Sequence, residues 1–266
     1  MDQDAWIRAN KALWNERTTH HVGSGFYDVE DFVAGADPLN AIELALLGAV
    51  KGKRLLHLQC HFGMDTIALA RRGAIVTGLD LSDRSVAAAR DLATRCGVQA
   101  EFIEGNVLVR NDALAGRFDI VFTSYGTIGW LPDLKSWAAN IAAYLVPGGS
   151  FVMAEFHPVL WMWDNDFGQI AYSYFNRSVI EENETGTYAD RNAPVDLPSY
   201  SWNHPLADVL GSLIGAGLRI ETVEEFDRSP YDCFRNCVPA GDGNFFIRGF
   251  EGKMPMVYAI KAIKPG

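Results

Sequence analysis

A turn with the residue pattern of a nucleotide-cofactor loop follows a strand-like run early in the chain. The stretch "RLLHLQCHFGMDTIALARRG", residues 54–73, predicts a strand, a sharp turn and then a helix. Glycines normally fill such a turn, because the backbone bends sharply and approaches the ligand closely. Only Gly63 keeps its expected place, and Gln59 and His61 stand where two other glycines would be found. The turn is therefore either a modified cofactor loop or an ordinary connection.

Polar residues stand at the ends of the next three predicted strands. Asp80 ends the second strand, where a carboxylate can accept hydrogen bonds from both ribose hydroxyls of a nucleoside. The alternative is that this stretch only caps the helix that follows. Asn106 ends the third strand, and its amide could meet the edge of an adenine ring. Ser124 and Tyr125 end the fourth strand on the same rim.

Strand and helix patterns alternate from residue 53 to residue 156. We predict strands over 54–60, 74–82, 99–107, 118–126 and 149–156, and helices over 65–72, 84–96 and 133–145. Such alternation favours a parallel sheet covered by helices on both faces. The carboxyl ends of the strands then share one edge, which is where open α/β sheets bind ligands.

The flanking segments follow other patterns. Helices are expected over 3–16 and from Pro38 to about residue 50, with a loop over 19–35 between them. Residues 157–203 are aromatic-rich and lack a clear period. A helix over 205–216 and strands over 218–226 and 254–264 follow, and 227–254 is irregular. Both irregular stretches begin at the carboxyl ends of predicted strands.

Composition limits the possible partners and compartments. The 266 residues are 48% apolar, enough for one large domain, and the net charge of −10 makes nucleic acid a poor partner. We expect no membrane partner, because no apolar run could cross a bilayer. The cysteines make no disulfide framework, which favours the cytoplasm. Cys233 and Cys237 resemble half a metal site, but no second pair completes it, so we predict no metal.

The order and spacing of these segments resemble a class I S-adenosylmethionine-dependent methyltransferase. The resemblance rests on "LLHLQCHFG", "VTGLDLS", "EGNV", "FDIVFTSYGTIGWLPDL" and "LVPGGSFVMAEF", within roughly residues 50–156. A Rossmann dehydrogenase, the nearest alternative, would need intact glycines and gives no reason for the proline-glycine-glycine turn. A bacterial small-molecule subgroup looks similar in "WNERTTHHVGSGFYDVEDF", "HLQCHFGMDT", "EFHPV" and "GTYAD".

The resemblance implies S-adenosylmethionine as cofactor, with S-adenosylhomocysteine as its product. The family's first loop reads acidic residue, x, Gly, x, Gly, x, Gly, and here His57, Gln59, His61 and Gly63 take those places. Gln59 and His61 can still approach the methionine portion through backbone atoms. The family's N-terminal segment often folds over the cofactor. The predicted cofactor-binding residues are Trp14, Tyr27, Gln59, Cys60, His61, Gly63, Asp80, Leu81, Asn106, Val107, Ser124 and Tyr125.

Three residues are candidates for the catalytic step. Methyl transfer from a sulfonium is an in-line displacement, which needs alignment and exclusion of water, and a base only if the nucleophile arrives protonated. His157, just past the fifth strand, could take that proton in its neutral form. His21 lies in the N-terminal segment and Tyr125 on the rim. For each histidine a purely structural role stays open.

The aromatic stretch 157–203 predicts a lid that lines an acceptor pocket. Such a pocket suits an aromatic substrate or a cationic amine, and the alternative is that the rings fill the core of an accessory subdomain. Acidic residues outnumber basic ones there, which favours an amine. They are Asp164, Asp166, Glu181, Glu182, Glu184, Asp190 and Asp196, against Arg177 and Arg191.

We therefore predict one α/β methyltransferase domain over residues 1–266, with a Rossmann-like doubly wound sheet that is mostly parallel and has a late antiparallel strand. Its parts are an N-terminal helical cap (1–50), a cofactor-binding core (51–156), a lid insertion (157–203) and a C-terminal part of the sheet (204–266). The expected function is methyl transfer to an oxygen or nitrogen of a small molecule. The alternative is a non-catalytic cofactor-binding or partner-activating protein. Monomer and homodimer both stay open.

Overall fold

The computed structural model describes residues 3–176, 178–183 and 185–266, so Arg177 and Glu184 lie outside the described residues. The α-helices are α1 (Gln3–His21), α2 (Val29–Ala34), α3 (Ala41–Leu47), α4 (Met64–Arg71), α5 (Asp83–Arg95), α6 (Leu134–Tyr144) and α7 (Leu206–Gly215). The strands are β1 (Arg54–Leu58), β2 (Ile75–Asp80), β3 (Glu101–Glu104), β4 (Phe118–Ser124), β5 (Leu145–Phe156), β6 (Ile180–Glu182), β7 (Ser199–Ser201), β8 (Arg219–Phe226), β9 (Cys237–Pro239), β10 (Phe245–Ile247) and β11 (Val257–Ile263).

Seven of these strands form one sheet in the order β3-β2-β1-β4-β5-β11-β8. Strands β1 to β5 are parallel, and Leu56 of β1 pairs with Thr77 on one side and Val121 on the other. Strand β11 runs antiparallel to both β5 and β8. The predicted mostly parallel sheet with a late antiparallel strand is confirmed. The order reverses at β1 and β4, so a crevice forms where the loops after these strands diverge.

Apolar residues cover both faces of the sheet. Helices α3, α4 and α5 pack on one face, where Ile67, Val86 and Phe102 are buried together. Helices α6 and α7 pack on the other, around Trp137 and Val209. Burial on both faces explains why the central strands are nearly continuous apolar runs.

The N-terminal cap differs from the predicted helix boundaries. Helix α1 continues to His21, five residues beyond the expected end at 16, and a short helix α2 interrupts the expected loop over 19–35. Asp28 starts α2 by accepting a hydrogen bond from the amide of Asp31 at 3.2 Å. The next helix begins at Ala41 rather than at Pro38, because the Glu43 carboxylate closes its first turn on the amide of Asn40 at 2.5 Å.

Two stretches that lacked a clear period contain short strand pairs. Strands β6 and β7 pair within the insertion, and β9 pairs with β10 within 227–254. Asn10 of α1 exchanges two hydrogen bonds with the backbone of Tyr200 in β7, at 2.7 and 3.0 Å. The N-terminal cap and the insertion therefore pack on each other. Over the described ranges, we find no helix that combines the length and the apolar character needed to cross a membrane.

Gly63 is the one glycine of the β1 loop, and the packing around it leaves no room for a side chain. Its φ is +82°, and a Cβ atom placed there would lie 2.7 Å from the ring of Phe102. We predict that Gly63→Ala lowers the free energy of unfolding by about 2–5 kcal/mol, because left-handed backbone strain adds to overpacking. Chemical denaturation measures this change.

Gly97→Ala provides the matched control. Gly97 also has a positive φ, +64°, but a Cβ atom there would meet open space. That variant should lose only the conformational term, about 1–2 kcal/mol. Equal losses at the two positions would show that the contact with Phe102 contributes nothing.

Candidate functional site

A cavity of about 750 Å³ lies at the carboxyl edge of the sheet. The loops after β1, β2, β3 and β4 form one side, and the N-terminal cap, the insertion and the 227–254 segment form the other. Its volume is within the range of about 300–1,000 Å³ that small-molecule sites occupy. Every residue predicted to bind the cofactor lines this cavity: Trp14, Tyr27, Gln59, Cys60, His61, Gly63, Asp80, Leu81, Asn106, Val107, Ser124 and Tyr125.

The β1 loop keeps a glycine-like backbone without the glycines. Gln59 and His61 have φ values of +55° and +52°, in the left-handed region that Gly63 also adopts. Each non-glycine residue there costs about 1–2 kcal/mol. The Gln59 Nε2 atom donates to the carbonyl of Thr127 at 2.8 Å, and the His61 ring packs on Trp14 and Phe62. These contacts hold the strained residues in place.

Asp80 connects the β1 loop with the end of β2. One carboxylate oxygen accepts from the amide of His61 and the other from the amide of Ser82, both at 2.8 Å. Burial raises the pKa of the Asp80 carboxyl to about 6, although these backbone donors oppose the rise. The carboxylate is therefore fixed in direction at the cavity wall. Ser82, not Asp80, caps α5, since its hydroxyl accepts from the amide of Ser85.

Asn106 lines the cavity from the end of β3, and the aromatic N-terminal cap lines it from the opposite wall. The Asn106 Oδ1 atom accepts from the amide of Leu108 at 2.9 Å, so the amide nitrogen is the group left to face a ligand. On the other side, the Arg17 guanidinium lies 5.2 Å from the ring centroids of both Trp14 and Trp130. Arg17 thus brings a positive charge to the cavity wall, which sequence reasoning missed although it follows Trp14 by one helical turn.

A buried polar cluster lies where the cavity meets α3 and α4. Tyr125 donates to the Glu43 carboxylate at 2.8 Å, and Ser124 donates to the Asp65 carboxylate at 3.1 Å. Burial raises the pKa of Glu43, and burial together with the charge of Glu43 raises that of Asp65 to about 7. Asn40 donates to the hydroxyl of Tyr231 at 2.8 Å. No local sequence pattern points to Glu43 or Asp65, because their partners are distant in the chain.

Glu155 shapes the loop after β4. Its buried carboxylate accepts hydrogen bonds from the amides of Gly126, Thr127, Ile128 and Phe156 and from the hydroxyl of Thr127. A carboxylate with so many donors is a structural anchor, since its lone pairs are taken up by the loop. Glu155 therefore fixes the position of Tyr125 and of the neighbouring cavity wall.

His157 does not face the cavity, contrary to the expectation for a base. The β5–β11 pairing continues through the His157 amide, which donates to the carbonyl of Met256 at 2.9 Å. The ring then lies away from the cavity, with Nε2 2.8 Å from Glu225 Oε1 and Nδ1 accepting from the amide of Val159 at 3.2 Å. Burial lowers the pKa of His157, against the opposing charge of Glu225. These contacts describe a structural histidine.

His21 is likewise separated from the cavity. Its ring is buried among aromatic neighbours, with centroids 4.8 Å from Tyr188, 5.2 Å from His61 and 5.6 Å from Tyr27. Burial, together with the charge of Arg17, lowers the pKa of His21 to about 3. A histidine with so low a pKa is a weak base at neutral pH. Of the three predicted catalytic residues, the structure brings only Tyr125 to the cavity.

The part of the cavity under the insertion is aromatic, and its charges are mixed. Phe156, Trp161, Trp163 and Phe234 line it, as do acidic and basic side chains: Asp164, Glu182, Arg191 and Arg235. Two of the acidic side chains have partners within the protein, because Asp166 pairs with Arg235 and Glu181 accepts from Tyr200. The preference for an amine substrate stays a prediction. The mixed charges and these pairings weaken the argument from acidic residues on which it rests.

Comparisons with known proteins agree with this geometry. A family model described as a methyltransferase domain matches residues 56–151. The ubiquinone biosynthesis O-methyltransferase of Escherichia coli is 29% identical over 154 residues, which is 54% of this chain and 64% of that protein. The chain thus spans less than two thirds of this curated relative.

Solved structures share the fold at lower identity. A Listeria monocytogenes protein assigned to the S-adenosylmethionine-dependent methyltransferases is 18% identical, with a TM-score of 0.61, covering 84% of this chain and 95% of that one. An S-adenosylmethionine-dependent methyltransferase from Mesorhizobium loti is 21% identical, with a TM-score of 0.57, covering 87% and 99%. With the strand order and the loop positions above, these findings show that the chain shares the fold of S-adenosylmethionine-dependent methyltransferases and contains a match to a methyltransferase domain over residues 56–151.

Proposed function

We propose that this chain transfers the methyl group of S-adenosylmethionine to an oxygen or nitrogen of a small molecule. The observation that carries the proposal is the continuity of one cavity from Asp80 and Asn106, at the ends of β2 and β3, to the aromatic insertion. A cofactor and an acceptor can then share one space from which water is excluded. When bound, the cofactor supplies a sulfonium-linked methyl group with a good leaving group.

The chain's own residues fit the parts of that cofactor. Asp80 presents a fixed carboxylate for the ribose hydroxyls, and the amide nitrogen of Asn106 faces a base from the end of β3. Arg17 supplies the positive charge for a carboxylate at the other end. Trp14 and Tyr27 cover this half from the N-terminal cap. We place the acceptor on the other side of Tyr125, against Phe156, Trp161 and Phe234.

Tyr125 and Glu43 form the route for a proton from the acceptor. The phenol already donates to the Glu43 carboxylate, and the raised pKa of Glu43 makes that carboxylate a stronger base. The Tyr125 oxygen would take the proton of the acceptor's oxygen or nitrogen, and the phenolic proton would pass to the Glu43 carboxylate. The cofactor would supply the methyl group and keep the electron pair of its carbon–sulfur bond, so that the positive charge lost at sulfur matches the negative charge lost at Glu43.

The cofactor assignment predicts the effect of Asp80→Asn. Loss of the second carboxylate oxygen and of the charge should raise the Kd for S-adenosylhomocysteine by about 10–100-fold, since hydrogen bonds to charged groups contribute about 1.5–3 kcal/mol each. Isothermal titration measures the Kd, and Asp91→Asn, on the exposed surface of α5, is the control. An unchanged Kd in a folded Asp80→Asn protein would contradict the ribose assignment.

The proton route predicts a loss of turnover without a loss of cofactor affinity. Tyr125→Phe should lower kcat by about 10²–10⁴ on an acceptor found by a methyl-release screen over small metabolites, while the Kd for S-adenosylhomocysteine stays within about threefold. Tyr200→Phe removes a phenol outside the cavity and serves as control. Full turnover by Tyr125→Phe would remove the residue from the chemistry. A screen with no methylated product would favour the non-catalytic alternative.

The N-terminal cap and the insertion should close over the ligand together. Both line the cavity, and they are joined through Asn10 and Tyr200 and through the hydroxyls of Tyr27 and Tyr188. Covers of this kind move until a ligand holds them. Hydrogen exchange should slow in 14–30 and 157–203 when S-adenosylhomocysteine is added, and more than in α4 and α5. Equal protection everywhere, or none, would contradict the lid.

A further inference from the structure

The acidic residue that the family places at the start of its first loop is missing, and a neutral histidine takes its position. His57 is buried, and burial lowers its pKa to about 3, so the ring carries no charge at neutral pH. Its Nδ1 atom lies 2.9 Å from Thr66 Oγ1 and its Nε2 atom 3.2 Å from Ser124 Oγ. Both ring nitrogens are therefore occupied within the protein. The position no longer offers a negative charge to a ligand.

A carboxylate reaches the same place from the neighbouring helix. Asp65 lies in the first turn of α4, lines the cavity, and accepts from the Ser124 hydroxyl that also contacts His57. The charged residues that most affect Asp65 are Glu43 and Asp37, both negative. A half-buried carboxylate among negative neighbours is unfavourable unless a positive group approaches it. A positive group can approach Asp65 from the cavity, which this side chain lines.

A second acceptor lies on the same stretch of wall. The Oε1 atom of Gln59 is buried and has no hydrogen-bond partner within the described part of the chain, while its amide nitrogen is held by Thr127. Buried polar atoms are rarely left without partners. Gln59 Oε1 and the Asp65 carboxylate are both acceptors, so the group that satisfies them must donate several hydrogen bonds. An ammonium group has three donors and a positive charge.

The proposed binding mode would bring the ammonium group of the cofactor to this stretch of the wall. S-adenosylmethionine is a linear molecule with a nucleoside at one end and an amino acid at the other. With the nucleoside held by Asp80 and Asn106 over β2 and β3, the amino acid end would extend over β1 and β4, where Gln59, Ser124 and Asp65 lie. Arg17, a positive side chain of the cavity wall, would face the carboxylate of that amino acid.

We propose that Asp65, supported by Ser124 and Gln59, binds the ammonium group of the cofactor's methionine portion in place of an acid at position 57. This inference rests on the proposed use of S-adenosylmethionine. It makes Asp65 a binding residue that no position in the family's loop pattern identifies. The negative charge therefore lies on helix α4 instead of strand β1, and the Ser124 hydroxyl contacts both His57 and Asp65.

The test compares two ligands that differ in the amino acid portion. S-adenosylhomocysteine carries the ammonium and 5′-methylthioadenosine does not, while both have the nucleoside. We predict that Asp65→Asn raises the Kd for S-adenosylhomocysteine by about 10–100-fold and changes the Kd for 5′-methylthioadenosine by less than about threefold. Asp91→Asn is the matched control, because Asp91 is exposed on α5 and does not line the cavity.

The outcomes separate this inference from the proposed function. An unchanged Kd for S-adenosylhomocysteine in Asp65→Asn, or equal losses for both ligands, would overturn the role of Asp65 and leave the cofactor assignment standing. A wild-type protein that binds neither ligand would overturn both. Thermal denaturation shows whether Asp65→Asn is folded.

A pH series on the wild-type protein provides a second test that needs no variant. The pKa of Asp65 is raised to about 7, and the ammonium needs the ionised carboxylate, so affinity for S-adenosylhomocysteine should rise with pH. Asp80 titrates near pH 6 but faces the ribose that both ligands share, so it cancels in the ratio of their affinities. His57 stays neutral throughout this range. The groups that face Asp65 are Ser124, Glu43, Asp37, Cys60, Tyr27, Tyr125 and Tyr231.

The expected ratio follows from the titration of one carboxyl. Between pH 6 and pH 8 the affinity for S-adenosylhomocysteine relative to 5′-methylthioadenosine should rise by about tenfold, because the ionised fraction of a carboxyl with a pKa of about 7 rises from about one tenth to about nine tenths. Burial raises the pKa of Cys60 and of the three tyrosines well above their ordinary values, so they stay neutral. A flat ratio, or one that falls with pH, would contradict the proposal.

Discussion

The hydrogen bond from the His61 amide to the Asp80 carboxylate fixes the geometry of the whole ligand edge. It joins the loop after β1 to the end of β2 at 2.8 Å, and the second carboxylate oxygen is held by Ser82 at the start of α5. Three elements thereby share one carboxylate. The direction of the β1 loop, and with it the place of Gln59 and the first turn of α4, follows from that contact. A charge-assisted bond to a backbone amide is well suited to this task, because it is short and directional.

The same contact explains how the loop works without two of its glycines. The left-handed conformation is required at positions 59, 61 and 63, since the strand must turn at once into α4. At Gly63 a side chain would meet Phe102, so glycine is obligatory. At Gln59 and His61 the backbone strain is offset by Thr127, by Asp80 and by the aromatic rings of the N-terminal cap. Strained residues held in this way are characteristic of ligand sites.

Local patterns predicted the sheet and its rim, and distant contacts decided the rest. The alternation of apolar runs fixed β1 to β5, and residues at strand ends, such as Asp80 and Asn106, line the cavity as expected. Glu43 and Asp65 were missed because their partners, Tyr125 and Ser124, lie on another element far along the chain. The expectation for His157 failed because pairing with β11 continues past the end of β5 and turns the ring toward Glu225. No local period carries that information.

The buried carboxyl groups of Asp65 and Asp80 lack cationic partners among the groups that shift their pKa values, and the proposed zwitterionic ligand would supply the missing donors. Asp65 and Asp80 have pKa values raised to about 7 and about 6 by burial, so folding without a ligand favours their protonated forms. Between the ordinary pKa of an aspartate and these raised values, the folded state therefore binds more protons than the unfolded state. Stability attributable to these two groups is then present at low pH and is lost as the pH rises through about 6 to 7. A ligand that brings an ammonium group to Asp65 and hydroxyl donors to Asp80 reverses this loss, because it favours the ionised carboxylates. In the proposed binding mode, cofactor binding would therefore be coupled to proton release at Asp65 and Asp80.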